Sequence, residues 1–448
     1  MEFLNKFFKL QERGSNVKTE FIAGLTTFLA MAYILFVNAE MLSTTGMSWG
    51  AVFTATAIAA IVGTLIMGLL ANYPVALAPG MGLNAFFAFT IAAPWALGFS
   101  WQQGLAAVFC SGIVFLLLSM SGIRERVINA IPNNLKYAVG GGIGLFIAFI
   151  GLKNAGIVAF DTPAGLIDGN IVVFDVIPML GAMSGQTLLA VVGLLITIVL
   201  YVRKVKGSIF LGIVATSIIG IIFGLVGTPT SIAGVPEAPH FGAFLEGFSG
   251  LNIPNFLIVV FSLLFVDFFD TAGTLVSVGR SAGLVDEDGK LVGSSRALLA
   301  DSTATVVGAI VGTSNTTSYI ESLAGIEEGG RTGLTAVFTA LFFLIFMFFA
   351  PLLSVITSAV TAPALIMVGI LMAAQLKQIE WDRIEIAIPA FLTLILMPLT
   401  YSIATGIAVG FIVYTITMIA AGRRKELDVI LYILSIIFIF YFITPFLT

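Results

Sequence analysis

The sequence predicts an all-α polytopic membrane protein, with 14 transmembrane segments arranged as a 7+7 inverted repeat. Three observations predict it. Apolar stretches recur along all 448 residues, of which 59% are hydrophobic and only 10% charged, whereas a soluble domain carries about 25% charged residues. The basic residues fall almost wholly on one side of the resulting topology. Two broken, polar-rich segments stand at matching positions in the two halves.

A helix needs about 20 apolar residues to cross the hydrocarbon core. On that length, spans are expected at 21–42, 51–71, 101–121, 134–152, 186–202 and 208–226 in the first half. In the second half they are expected at 254–278, 297–312, 332–356, 361–377, 384–399 and 402–421. Segments 74–94 and 313–326 are apolar in part but interrupted, and they complete seven in each half. The apolar stretch 428–446 is left over, as a fifteenth span or a helix lying against the bundle. The first stretch follows Lys6, Lys9, Arg13 and Lys18, and no small-residue cleavage site follows a short core. It therefore reads as a retained helix rather than a signal peptide.

The charges test this topology independently. With both ends of the fourteen-segment unit inside, the inner loops hold Arg124, Arg126 and Lys136; Arg203, Lys204 and Lys206; Arg280, Lys290 and Arg296; Arg331; Lys377 and Arg383; and Arg423, Arg424 and Lys425. With the four N-terminal residues that is 19 of the 20 Lys and Arg, and only Lys153 falls outside. Positive-inside bias then places residues 1–20 in the cytoplasm of a multi-pass cell-membrane protein.

Seven is odd, so a duplicated seven-segment unit must be inverted, an arrangement common among secondary transporters. The fifth segment opens with Ile131-Pro132 and runs through Gly140, Gly141, Gly142 and Gly144; its counterpart begins at Ala362-Pro363 and contains Gly369. Such glycines also read as close helix packing.

Whole classes of function are excluded by scarcity. Cys110 and His240 are the only cysteine and the only histidine, and no GxxxxGK occurs. No intramolecular disulfide, thiolate metal cluster, Ser-His-Asp triad or phosphate-binding loop of an ATP motor can be built. The reading is of a non-enzyme with no metal and no cofactor beyond a coupled ion. Without a basic patch, nucleic acid is not an expected partner.

The interrupted segments carry the site. The first reads Tyr73-Pro74-Val75-Ala76-Leu77-Ala78-Pro79-Gly80-Met81-Gly82-Leu83-Asn84. Two prolines and two glycines there forbid a regular helix, so an extended stretch followed by a half-helix from about Gly82 is expected. The second contains six consecutive hydroxyl or amide residues, 313–318, and then Tyr319-Ile320-Glu321. Non-helical backbone at membrane depth is tolerated only inside protein or beside a water-filled cavity. Broken segments at matching positions mark a transporter binding site.

The eighth segment places Asp267, Asp270, Thr271, Thr274 and Ser277 on one stripe of an apolar helix. An acid at the membrane centre costs about 2.5–3.5 kcal/mol on insertion scales. No Lys or Arg lies deep within any predicted span; Lys136 and Lys377 stand at the ends of theirs. The acids must be protonated, hydrogen-bonded or neutralised by a transported cation, with a proton preferred over Na⁺. Plainer readings stand beside these. Ser318-x-x-Glu321 has the form of a capping box. Asn84 could satisfy the broken backbone. Asp301 could answer a helix N-terminus. Asp286-Glu287-Asp288-Gly289 reads as a solvated turn.

At these residues the chain resembles the AzgA-like purine permeases, the hypoxanthine/guanine/adenine branch of the xanthine/uracil permease superfamily. The matching stretches are Met31–Ile34, Ala78–Phe86, Phe265–Leu275, Ser318–Ser322, Gly329–Thr335 and Met397–Ile403. They lie along nearly the whole chain, from about residue 15 to 425. The resemblance implies a core domain of segments 1–4 (21–121) and 8–11 (254–356). It implies a gate domain of segments 5–7 (134–226) and 12–14 (361–421), with an extra helix at 428–446. By position, Asn84, Asp267 and Glu321 would contact a purine base near Gly82, Thr271 and Ser318. Asp270, with Asp267 and Glu321, would serve coupling. The expected partners are a purine base and the bilayer, with a second copy of the chain at the gate domain. Two departures are Ala39, where the family has proline, and Thr405, where it has aspartate.

Rival readings are an adenine permease of the same family, an anion transporter of related fold, an intramembrane enzyme and a channel. Asp267, Asp270 and Glu321 oppose an anion, and the missing histidines oppose an enzyme.

Overall fold

The computed structural model of the chain describes residues 2–93, 97–121, 131–161, 164–167, 170–173, 177–229, 231–284, 291–353 and 356–447. The helices, in chain order, begin with α1 (Glu2–Phe8), α2 (Val17–Met31), α3 (Ile34–Ser43), α4 (Trp49–Ile66), α5 (Met81–Phe86) and α6 (Trp101–Ser121). They continue with α7 (Asn133–Asn154), α8 (Gly185–Val202), α9 (Ser208–Ile222), α10 (Ile253–Ser281), α11 (Ser294–Val311) and α12 (Ser322–Glu327). The last are α13 (Gly333–Met347), α14 (Ala350–Leu353), α15 (Ser358–Ala373), α16 (Ile384–Leu399), α17 (Ile403–Ala420) and α18 (Val429–Leu447). Single π-helical turns extend α4 (Met67–Ala71) and α5 (Phe87–Ile91).

Among the described residues, seven helical stretches are long and apolar enough to cross a membrane. They are Val17–Ser43, Trp49–Ala71, Trp101–Ser121, Asn133–Asn154, Gly185–Val202, Ser358–Gln378 and Ile403–Ala420. Of the other predicted segments, 208–226 and 384–399 hold the shorter α9 and α16, whereas 254–278 holds the 29-residue α10. The first span is split at Ala32-Tyr33, between α2 and α3. The predicted span 332–356 is shortened to α13, with Pro351 in the separate turn α14; proline cannot donate to the preceding turn.

The helices pack in two sets. The glycine-rich α7 lies along α15 and α16; α16 pairs with α17, and α8 with α9 and α15. Separately, α4 packs on α11 and α13, α6 on α10 and α11, and α2 on α12 and α13. Gly144 and Gly369 show why α7 and α15 approach so closely. A Cβ on Gly144 would lie 2.8 Å from the Gly369 carbonyl oxygen, and one on Gly369 would lie 2.5 Å from that of Gly144. Pro363 does not open its segment as Pro132 does; it sits in the second turn of α15, because Thr357 and Ser358 begin that helix earlier. The C-terminal helix α18 packs on α17 and α10, with Phe438 touching Phe261, Phe265 and Phe411.

The fold is not wholly α. Strands β1 (Leu77–Pro79) and β6 (Thr316–Ser318) lie in the interrupted segments. The connection between α7 and α8 forms β2 (Val158–Asp161), β3 (Ala164–Ile167), β4 (Asn170–Val173) and β5 (Ile177–Leu180). There β2 pairs antiparallel with β5, and β3 with β4.

Candidate binding site at the paired half-helices

The two broken segments meet each other. Leu77, Ala78 and Pro79 stand opposite Ser318, Thr317 and Thr316 in an antiparallel pair. Gly80 N–H donates to the Asn315 carbonyl at 2.9 Å, and Tyr319 N–H to the Ala76 carbonyl at 3.0 Å. Thr64 on α4 closes the outer edge: its hydroxyl accepts from Leu77 N–H at 2.9 Å and donates to Leu77 O at 3.0 Å. Backbone that cannot be helical is thus bonded internally, as a low-dielectric interior requires. Each strand then feeds a short helix, α5 or α12, as the prolines and glycines of the first segment lead one to expect there.

The polar run 313–318 is buried throughout, and most of its side chains bond to other segments, while Asn315 Oδ1 and the Thr316 hydroxyl have no partner among the described residues. Thr313 accepts from Asn38 Nδ2 at 2.8 Å, and Ser314 donates to Asn84 Oδ1. Asn315 Nδ2 donates to Asp267 at 2.9 Å and to Ser111 at 3.2 Å. The Thr317 and Thr271 hydroxyls are 2.7 Å apart. Ser318 gives both its N–H (3.0 Å) and its hydroxyl (2.9 Å) to Asp301. Protein, rather than an open cavity, surrounds this backbone.

Two buried acids organise the run. Asp267 on α10 accepts from Asn315 and, at 3.1 Å, from Thr305. Asp301 on α11 accepts from Ser318 and, at 2.7 Å, from Thr271. Thr271 also lies 3.5 Å from Asp267, so the two carboxylates share one hydroxyl neighbour. Asp301 does not answer a helix N-terminus as the sequence suggested. Helix α11 starts at Ser294, two turns earlier, and Asp301 faces β6.

Glu321 is set apart. No capping bond forms from its side chain, although it stands at the start of α12. The Ser318 hydroxyl of the expected capping box goes to Asp301 instead. The Glu321 carboxylate accepts from the Tyr33 hydroxyl at 2.5 Å. Unlike Asp267 (1% exposed) and Asn84 (0%), Glu321 is a half-buried residue. Asn84 serves the broken backbone, bonding Ser314 and, at 3.4 Å, the Pro79 carbonyl. Gly82 is a point of close approach: a Cβ there would lie 2.7 Å from Ile143 on α7.

The structure therefore joins Thr271, Ser318 and Asp267 through Asp301, Thr317 and Thr305. Asn84 and Glu321 are tied to other partners. Asp270 lies on α10, and its side chain falls outside the described residues, as do Arg124, Arg126, Lys290 and the Asp286–Gly289 turn. Asp301, Asn315 and Tyr33 were not anticipated as site residues. Asp301 and Thr305, four apart on a helix, are the pattern that could have signalled a polar face.

A multi-helix apolar bundle with paired broken segments and buried acids at their meeting point defines a polytopic membrane permease. The Permease family model, Xan_ur_permease, matches residues 18–409, and the chain belongs to that xanthine/uracil permease family. It is 51% identical to the guanine/hypoxanthine permease PbuG of Bacillus subtilis, over 98% of this chain and 99% of that one. It is 45% identical to guanine/hypoxanthine permease PbuO of the same organism, over 96% and 98%. It is 41% identical to adenine permease AdeQ of Escherichia coli, over 97% and 95%. In fold it resembles the transmembrane domain of a cyanobacterium bicarbonate transporter, BicA. That match has a TM-score of 0.63 at 16% identity, over 91% of this chain and 97% of that one.

Proposed function

We propose that the chain imports purine nucleobases, guanine and hypoxanthine ahead of adenine, by proton symport. The observation that carries this reading is its near full-length similarity to relatives named as guanine/hypoxanthine permeases, at 51% and 45% identity. The site chemistry agrees. A flat, neutral, polar base needs acceptors for its N–H groups, and charge-assisted hydrogen bonds are the strong ones. Glu321, a half-buried residue, offers a carboxylate at the start of a half-helix. Guanine presents N1–H and its 2-amino group side by side, which suits one carboxylate. Adenine lacks N1–H and needs another pairing, and the 41% relative named as an adenine permease keeps that second reading open to the same test.

Coupling is proposed to run through the acids. The donors described around Asp267 and Asp301 are hydroxyl, amide and backbone N–H groups, which suit a carboxylate that takes up and releases a proton. Segments 1–4 and 8–11 act as a core holding the base, and segments 5–7 and 12–14 as a gate, in a seven-plus-seven inverted repeat. The core moves against the gate to alternate access. The membrane is the cell membrane, and the N-terminus is cytoplasmic. Likeness to the bicarbonate transporter concerns the fold alone, and the acids of this site disfavour an anion.

Uptake of labelled guanine, hypoxanthine and adenine by a permease-null strain expressing the chain tests the proposal. Saturable uptake of guanine and hypoxanthine that collapses with the proton gradient is expected. Uptake indifferent to that gradient yet lost without Na⁺ would show the wrong ion, and absence of purine uptake would overturn the function.

A further inference from the structure

We infer that Tyr33 is the positioning residue of the substrate carboxylate: its hydroxyl holds Glu321 in the orientation that meets the base. The inference rests on the reading of Glu321 as a substrate contact. Glu321 is not oriented by its own helix. It precedes α12 with helical backbone angles, and its side chain makes no capping bond. The hydroxyl described on its carboxylate comes from another segment, at the break between α2 and α3. The backbone stays helical through Ala32 and Tyr33 and presents there a fully buried ring whose hydroxyl reaches Oε1 at 2.5 Å.

The distance between the two elements is fixed by packing, so that reach is reproducible. Helices α2 and α12 touch at Gly325, where a Cβ would run into the Thr27 hydroxyl and lie 2.6 Å from the Ala23 carbonyl oxygen. A larger residue there would push the two helices apart. A carboxylate has about four acceptor positions on its two oxygens. Tyr33 occupies one of them on Oε1, and a donor from the base needs only one of the others. A glutamate side chain free to rotate would have to be ordered on binding, and holding it beforehand removes that cost.

The test compares Tyr33→Phe, which keeps the ring and loses only the hydroxyl, with the wild type in the uptake assay. Surface amount is measured in parallel. Loss of one hydrogen bond to a charged group predicts a KM for hypoxanthine raised about tenfold with Vmax near wild type. Purine binding to detergent-purified protein gives a second reading, through a double-mutant cycle with Glu321→Gln measured at millimolar purine. In that background Tyr33→Phe is expected to cost less than about twofold, because the pair acts as a unit. An unchanged KM in Tyr33→Phe overturns the inference, as does an equal loss in both backgrounds, which marks Tyr33 as packing alone. Absence of purine uptake in the wild type strikes instead at the function on which the inference rests.

Discussion

Glu321 and Asp267 are both acids in a bilayer-embedded bundle, and their surroundings differ. Asp267 is enclosed by Asn315 and Thr305. Glu321 is half-buried and holds one described hydroxyl. Glu321→Gln should therefore weaken purine uptake about ten- to a hundredfold while the protein still reaches the membrane, the effect of losing a charge-assisted acceptor. A capping residue would tolerate glutamine, so near-normal hypoxanthine affinity in this variant would restore the capping reading. Asp301→Ala should act on stability. It leaves the Ser318 N–H and hydroxyl and the Thr271 hydroxyl short of an acceptor, a loss of about 3 kcal/mol. Thermal melting in detergent should show a clear drop for Asp301→Ala and little change for Glu321→Gln. The sequence made the acids visible but not their division of labour. Asp301 reads as a helix-start acid because nothing local shows that a strand fifteen residues onward folds back beside it.

Element by element, legibility followed the chemistry of the backbone. Proline and glycine in 74–82 dictated an extended stretch and a half-helix, and Leu77–Pro79 with Met81–Phe86 is what forms. That this strand would pair with Thr316–Ser318 could not be read, since a three-residue pairing across 240 positions has no local signature. The split at Ala32-Tyr33 was equally hidden, because Met31-Ala32-Tyr33-Ile34 contains no helix breaker. Glycines in α7 were read as packing, and Gly144 and Gly369 face each other across α7 and α15. Gly144→Val should overpack this crossing by about 1–3 kcal/mol. Gly14→Val is the control: its φ of 67° disfavours a side chain, but no atom lies within 4 Å of a Cβ there. That backbone strain is absent at the helical Gly144, so the deciding readout is purine uptake. It should fall in Gly144→Val and persist in Gly14→Val; loss confined to Gly14→Val would place the sensitivity outside the α7–α15 contact.

At the scale of the whole molecule, two polar ties join the helix sets from opposite ends. Lys206, in the turn between α8 and α9, pairs with Glu328 just after α12. Ser358, at the start of α15, donates to Glu40 on α3. In the proposed orientation, in which the charge partition puts 203–206 among the inner loops, the first tie lies on the cytoplasmic side. If the core moves against the gate, these ties cannot both persist through a transport cycle, since each spans the two sets. Lys206→Cys with Glu328→Cys on a Cys110→Ala background puts the only two thiols of the chain at the inner tie. A short bifunctional thiol reagent should then join them and stop uptake, with recovery after reduction if the reagent is cleavable. Each single-cysteine variant should keep its uptake under the same treatment, because an exposed ion pair is worth only about 0–1 kcal/mol. The same thiols report orientation: impermeant reagent added to intact cells should leave them unlabelled and should label them in inside-out vesicles. Labelling from outside would invert the topology, and cross-linked protein that still transports would show that this end of the core and gate does not separate during the cycle.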